Sequence, residues 1–276
     1  MATSPTIHDP TIPTPVTAAT VSSTSALHQT NIEAIASLHS NTTKIFWLHV
    51  PKAGTSLFNT IYLHYCSSII SANPAIISGA KPLMDMTLLK LYPPTEYCNA
   101  SYANMPCPGC HWPYPKSKGM NMKYHFFAMF RHPIERLKSA YAFNRHRSKL
   151  NDKNISFDTY VNETHIPNCQ LKMMLGYKCY DEVNVDTLNT TLAIQRALAP
   201  NFYFGITDRW VESICLFHSI YGGEIRGFEL KNNRPTRRSN DTVLGMNYTF
   251  IEMEFYNALL DVFDMRVREA GCLVVQ

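Results

Sequence analysis

The chain of 276 residues carries a formal net charge of +4 at pH 7, with charged side chains at only 17%; that balance does not mark a nucleic-acid-binding protein. Its 45% hydrophobic content is enough for one large buried core, and no stretch is long and apolar enough for a transmembrane helix.

Residues 1 to 40 are rich in Thr, Ser, Pro and Ala and poor in large apolar side chains. They read as a disordered stem or linker, with only a weak helical pattern from Asn31 to His39. No basic-plus-apolar signal or anchor pattern is visible there. The folded domain is expected over residues 41 to 276.

Lys44-Ile45-Phe46-Trp47-Leu48 is a short β-branched and aromatic run, as expected of a buried strand. It leads into His49-Val50-Pro51-Lys52-Ala53-Gly54-Thr55-Ser56, after which Leu57, Ile61 and Tyr65 recur at helical spacing. Strand, tight Gly loop and helix in that order bring backbone N–H groups together with a lysine and two hydroxyls, a set suited to an anionic oxygen. Because Lys52 precedes Gly54, the loop is not a Walker A sequence, which argues against an ordinary ATPase or a P-loop-like kinase. The bland alternative is a Pro-Lys-Gly turn with no ligand.

The Pro-rich stretch 92–118 is expected to be an ordered irregular insertion over the site, lining an acceptor cleft. Within it, Cys107-Pro108-Gly109-Cys110-His111 spells the C-x-x-C-H of c-type haem attachment, and with Cys98 it offers a zinc ligand set. No feature argues for a second haem ligand. Tyr124 to Phe130 is a second strand-like run, followed by Arg131-His132-Pro133-Ile134-Glu135-Arg136-Leu137-Lys138-Ser139-Ala140-Tyr141. Pro133 suits a first helical turn, and Ile134, Leu137 and Tyr141 mark an apolar face. Taken alone, Arg131 and Arg136 would read as a solvated helix face. A third strand and helix are expected from Phe202-Tyr203-Phe204-Gly205-Ile206 through Thr207-Asp208-Arg209-Trp210-Val211-Glu212-Ser213. Three strands each followed by a helix predict an α/β fold with a central parallel sheet and a site at the strand C-termini.

The pair P-K-x-G-T-S and R-x-P-x-x-R-x-x-S-x-Y resembles the two cofactor motifs of sulfotransferases that use 3′-phosphoadenosine 5′-phosphosulfate (PAPS). The segment 202–213 is similar to a later part of the Golgi-type carbohydrate sulfotransferases, so the resemblance spans roughly residues 44 to 270. It implies the P-loop-like nucleotide-binding architecture of that family. It further implies that Lys52 contacts the 5′-phosphate and bridging oxygen, that Ala53, Gly54, Thr55 and Ser56 form the phosphosulfate loop, and that Arg131 and Ser139 bind the 3′-phosphate. Two departures stand out: His132 occupies a position where many relatives have an acidic residue, and the loop lacks an extra Gly seen in several Golgi members. Sulfuryl transfer requires charge stabilisation on the departing phosphate and in-line placement of the acceptor hydroxyl, so Lys52 is expected to act electrostatically. No metal is expected.

A general base is needed for the acceptor hydroxyl. Of 11 histidines, His111 is the first choice, because several Golgi-type relatives carry a catalytic His shortly before the second strand; the alternative is a loop His packed beside Trp112. His49 is the second choice, His125 reads as structural, and Asp85 and Glu96 are acidic alternatives.

Further along, Lys231-Asn232-Asn233-Arg234-Pro235-Thr236-Arg237-Arg238 is either a solvated loop or a segment closing over the 3′-phosphate or guiding an anionic glycan, with Arg234 and Arg237 as its candidates. Phe250, Phe255, Leu259, Leu260 and Phe263 form a helical core stripe. Eight cysteines, among them the close pairs Cys169/Cys179 and Cys107/Cys110, permit disulfides without specifying their connectivity. Cys215, in the apolar Ile214-Cys215-Leu216-Phe217, reads as a buried thiol or half-cystine. Seven Asn-x-Ser/Thr sequons, at Asn41, Asn99, Asn154, Asn162, Asn189, Asn240 and Asn247, point to the secretory pathway.

Together these readings predict a PAPS-dependent sulfotransferase of the Golgi lumen or secretory pathway, acting on a hydroxyl of a carbohydrate. A type II anchor is not visible in the chain, which keeps a cytoplasmic location as the alternative. The competing functions are a non-catalytic glycan-binding or nucleotide-binding protein on the same fold, or a P-loop-like kinase.

Overall fold

The computed structural model describes residues 44–78, 85–98, 101–102, 111–116, 124–143, 155–162, 165–230 and 251–273. The expected stem, the helix at 31–39 and the basic stretch 231–238 with Arg234 and Arg237 lie outside the described residues.

Four parallel strands form the sheet: β1 (Lys44–Leu48), β2 (Ser101–Tyr102), β3 (Tyr124–Phe130) and β4 (Phe202–Ile206), in the order β2-β1-β3-β4. β1 and β3 pair from Lys44↔Tyr124 to Leu48↔Ala128, and β3 and β4 pair from Phe126↔Phe202 to Phe130↔Ile206. These three full strands are the ones expected from their apolar runs. Both their faces are covered, which is why they read as continuous hydrophobic stretches without alternation. Phe46, Phe202 and Tyr114 gather around Phe126 on one face. On the other, Tyr203, Phe217 and Tyr221 surround Phe127.

Between β1 and β2 run α1 (Leu57–Tyr65), α2 (Ser68–Ala72), α3 (Ala75–Ser78), α4 (Asp85–Leu91) and α5 (Pro94–Tyr97). The stretch 92–118 is therefore not wholly irregular: Pro94 starts the short helix α5 and Ser101–Tyr102 adds the edge strand β2 beside β1. A two-residue strand is too short to show a sequence pattern, and only its pairing with β1 reveals it. After β3 come α6 (Pro133–Ala142), α7 (Phe157–Asn162), α8 (Cys169–Met174) and α9 (Thr190–Ala197); after β4 come α10 (Trp210–Tyr221) and α11 (Ile251–Glu269).

The chain leaves β1 toward β2 and leaves β3 toward β4, in opposite directions from neighbouring strands. This is a topological switch point, and open α/β sheets bind their ligands beyond the strand carboxyl ends at such points. The two motifs sit at those two ends.

α6 differs from its expected face. Pro133, Arg136, Leu137, Ser139, Ala140 and Tyr141 are buried, whereas Ile134 is only partly so. Leu137, Ala140 and Tyr141 pack with Phe157, Tyr160 and Val161 of α7 into a second apolar cluster. Arg136 is 1% exposed, so the solvated-face reading of this residue is overturned. Its Nη2 donates to the Ile166 carbonyl at 3.2 Å. Burial pushes its pKa down and the charge of buried Glu252 opposes that shift.

Three disulfides occur among the described residues: Cys66–Cys98, Cys169–Cys179 and Cys215–Cys272. Cys215 is thus a half-cystine. Such bonds persist in oxidising secretory or extracellular environments. Among the described residues no helix is long and apolar enough to cross a membrane. In α11, Phe255, Leu259 and Phe263 face the core as expected and Leu260 is partly buried; Phe250 lies outside the described residues.

Candidate functional site

The loop after β1 is built by two left-handed residues, Lys52 at φ 66° and Gly54 at φ 70°. Glycine adopts that region without a Cβ penalty, whereas at lysine it costs about 1 kcal/mol or more. A side chain at position 54 would also meet Met129 Cγ at 3.0 Å and the Trp210 ring at 3.2 Å. The turn closes with the Ala53 N–H donating to the Val50 carbonyl at 3.3 Å, and α1 begins with N–H groups donating back to Gly54, Thr55 and Ser56. The N–H groups of Gly54, Thr55 and Ser56 themselves donate to no backbone carbonyl among the described residues. They stand at the amino end of a nine-residue helix, where the helix dipole favours an anion.

Arg131 follows the last residue of β3, and its Nη1 lies 3.4 Å from the Lys52 carbonyl. The two motifs, 79 residues apart in sequence, therefore meet in space. Asp208, in the 3₁₀ turn after β4, stands 3.8 Å from Arg131 Nε and accepts the His132 N–H at 3.4 Å. Lys52 Nζ lies 4.0 Å from the centre of the Phe143 ring, just beyond the end of α6, the helix that carries the second motif. Ser139 is buried on the inner side of α6.

Arg209 is a cation of a different kind. It pairs with Glu212 and, at 2.6 Å, with Asp264, and these hydrogen bonds raise its already high pKa. Two carboxylates neutralise it. Arg131 faces one carboxylate at longer range, Asp208 at 3.8 Å.

His111 returns to this site from outside β2. Its Nδ1 lies 3.1 Å from the His49 carbonyl oxygen, and the rings of His49 and His111 are 4.6 Å apart. A carbonyl can only accept, so Nδ1 carries the proton and the lone pair of a neutral His111 is on Nε2. His49 in turn places Nε2 at 2.9 Å from the Thr55 hydroxyl, inside the loop after β1. Trp112 is exposed while Tyr114 is buried.

The remaining base alternatives separate from this cluster. His125 is buried near the amino end of β3, the opposite end of the sheet. Glu96 lies on α5, where Cys98 is bonded to Cys66 just past the far end of α1, about two turns of helix from the loop. The side chain of Asp85 lies outside the described residues. The zinc reading loses Cys98 to that disulfide, Cys107 and Cys110 lie outside the described residues, and no group of three metal-ligating side chains occurs among those described.

The sequence alone assigns no role to Asp208, Phe143, Gln170 or Trp210, although Asp208 and Trp210 lie within the 202–213 segment. Nothing local marks them, since each acquires its role only by meeting a loop distant in sequence.

Comparison of the chain with protein-family models, with curated proteins and with solved structures finds no match. The functional reading therefore stands on what the fold brings to the ends of β1 and β3: Lys52 and Arg131, the N–H groups and hydroxyls of the loop 54–56, and the adjoining pair His49 and His111.

Proposed function

We propose that the protein is a sulfotransferase that moves a sulfuryl group from PAPS to a hydroxyl, on a carbohydrate acceptor, in the Golgi or elsewhere in the secretory pathway. The observation that carries this reading is the contact between the Arg131 guanidinium and the Lys52 carbonyl, 3.4 Å, which makes one site of two motifs suited to two phosphate groups of one nucleotide.

In this reading the Gly54, Thr55 and Ser56 N–H groups and the Thr55 and Ser56 hydroxyls hold the 5′-phosphosulfate, and Arg131 with Ser139 holds the 3′-phosphate. The acceptor oxygen bonds to sulfur as the bond from sulfur to the bridging phosphate oxygen breaks. His111 Nε2 takes the acceptor proton, with Nδ1–H anchored on the His49 carbonyl to fix the ring. Lys52 offsets the charge that builds on the departing phosphate; such preorganised charge is commonly the largest catalytic contribution. Arg234 and Arg237, which follow the described turn 222–230, are kept as candidates to cover the bound nucleotide.

The test is transfer of radiolabelled sulfate from PAPS to a panel of glycans, with Lys52→Ala and Arg131→Ala beside the wild type. Transfer by the wild type with loss in both variants supports the reading. Undiminished PAPS binding in both variants would overturn it, and binding without transfer to any acceptor would favour a non-catalytic nucleotide-binding protein.

A further inference from the structure

Arg131 stands one residue past the last β3–β4 pair, Phe130↔Ile206, so no strand neighbour is available to its peptide groups. The side chain of Gln170 takes that place. Its Oε1 accepts the Arg131 N–H at 2.8 Å and its Nε2 donates to the Arg131 carbonyl at 2.8 Å. Both contacts fix the orientation of the amide, since only the oxygen can accept and only the nitrogen can donate. Gln170 is wholly buried, with 0% exposure.

The residue that offers this amide is itself immobilised. The Gln170 N–H donates to Glu252 Oε1 at 2.5 Å, the Glu252 N–H donates to Asn168 Oδ1 at 3.2 Å, and adjacent Cys169 is bonded to Cys179. A disulfide-braced turn and the first residues of α11 thereby hold one side chain rigid, and that side chain holds the backbone from which the Arg131 guanidinium projects toward Lys52. Small errors in placing a charged group that reads a phosphate are expensive, and buried amides left without partners are costly.

We propose that Gln170 is a positioning residue for Arg131, through which the protein distinguishes nucleotides bearing a 3′-phosphate from those lacking one. The inference rests on Arg131 as the 3′-phosphate ligand. Gln170 touches no ligand. Its replacement should move recognition of the 3′-phosphate while leaving the rest of the nucleotide site in place.

The experiment measures binding of 3′-phosphoadenosine 5′-phosphate and of adenosine 5′-phosphate by calorimetry to the full chain, to Gln170→Leu and to Gln170→Glu. The expected result is a loss of about tenfold or more for the bisphosphate in Gln170→Leu, with unchanged affinity for the monophosphate. A protonated carboxyl reproduces the donor and acceptor of the amide, and burial raises the pKa of a carboxyl, so Gln170→Glu should lose the wild-type affinity ratio at about pH 9 and recover it as pH falls to about 6. That recovery also tests the proposal if Gln170→Leu does not fold. Equal losses for both nucleotides, an unaltered preference in Gln170→Leu, or no pH recovery in Gln170→Glu would each overturn it. A wild type that shows no preference for the bisphosphate would instead defeat the assignment of Arg131, and the proposal with it.

Discussion

The Nδ1–H of His111 donates to the main-chain carbonyl of His49 at 3.1 Å, across a sequence separation of 62 residues. This bond does for His111 what a buried carboxylate does for many catalytic histidines: it selects one tautomer and one ring orientation. Replacement of His111 by Asn or Ala should therefore lower kcat by about 10²–10⁴-fold with nucleotide affinity retained. Steady-state kinetics beside a binding titration checks this; unchanged turnover would remove His111 as the base.

Gly54 combines a left-handed backbone with crowding from Met129 and Trp210. Gly54→Ala is expected to destabilise the fold by about 1–3 kcal/mol and to abolish nucleotide binding, because the loop must re-form with different N–H directions. Urea unfolding and calorimetry give the two readouts. Retained wild-type binding would mean that the loop does not need this conformation.

The pH dependence of stability should follow His218. Its Nδ1 lies 3.0 Å from the Gly222 carbonyl and its Nε2 3.2 Å from the Glu229 carboxylate, so both ring nitrogens face acceptors and the imidazolium is the matching form. Burial pulls the pKa of His218 down, but the hydrogen bond and charge of Glu229, with the Gly222 carbonyl, outweigh this and leave it raised, against a smaller opposing effect of Arg226. His64 of α1 approaches from the other side, 6.4 Å away. With the folded pKa above the unfolded value of about 6.5, the native state binds the extra proton. The contribution is full below that pH and fades as pH rises through the folded pKa. Denaturant midpoints measured from pH 6 to 9 should fall, and Glu229→Gln should flatten the slope.

The same pair bears on the site. Trp210 Nε1 donates to the Glu229 carbonyl at 2.6 Å, and the Trp210 ring packs over Gly54. Glu229→Gln should therefore also weaken nucleotide binding by a few-fold, less than Gly54→Ala. A Glu229→Gln protein with lowered stability and unaltered affinity would show that the clasp supports the fold alone.

Cys215–Cys272 joins α10 to the segment after α11 across 57 residues. Loop-closure entropy assigns such a bond about 4 kcal/mol, so a Cys215→Ser/Cys272→Ser protein should unfold at markedly lower denaturant. Reductant should lower the wild-type midpoint at least as far, because Cys66–Cys98 and Cys169–Cys179 are open to reduction as well. Equal midpoints with and without reductant would show that α11 is held by its apolar stripe without help from the bond.

Much of this architecture is determined by local chemistry that the sequence displays. The apolar runs 44–48, 124–130 and 202–206 coincide with strands because a strand buried on both faces has to be continuously apolar. Lys52, Gly54 and Arg131 stand at strand ends because turn residues and Pro133 mark where each strand stops. The even cysteine count permits disulfides without specifying their pairing, and the sequon number points to the secretory pathway. What the tertiary structure alone decided depends on which distant segments close on one another. Local pattern could not reveal that Arg136 is buried beside α7, that Ser101–Tyr102 joins the sheet edge, or that Cys98 pairs with Cys66. Nor could it place Gln170 against the Arg131 peptide. Propensity and periodicity act over a few residues, whereas these contacts form when buried polar groups must find partners across the folded core.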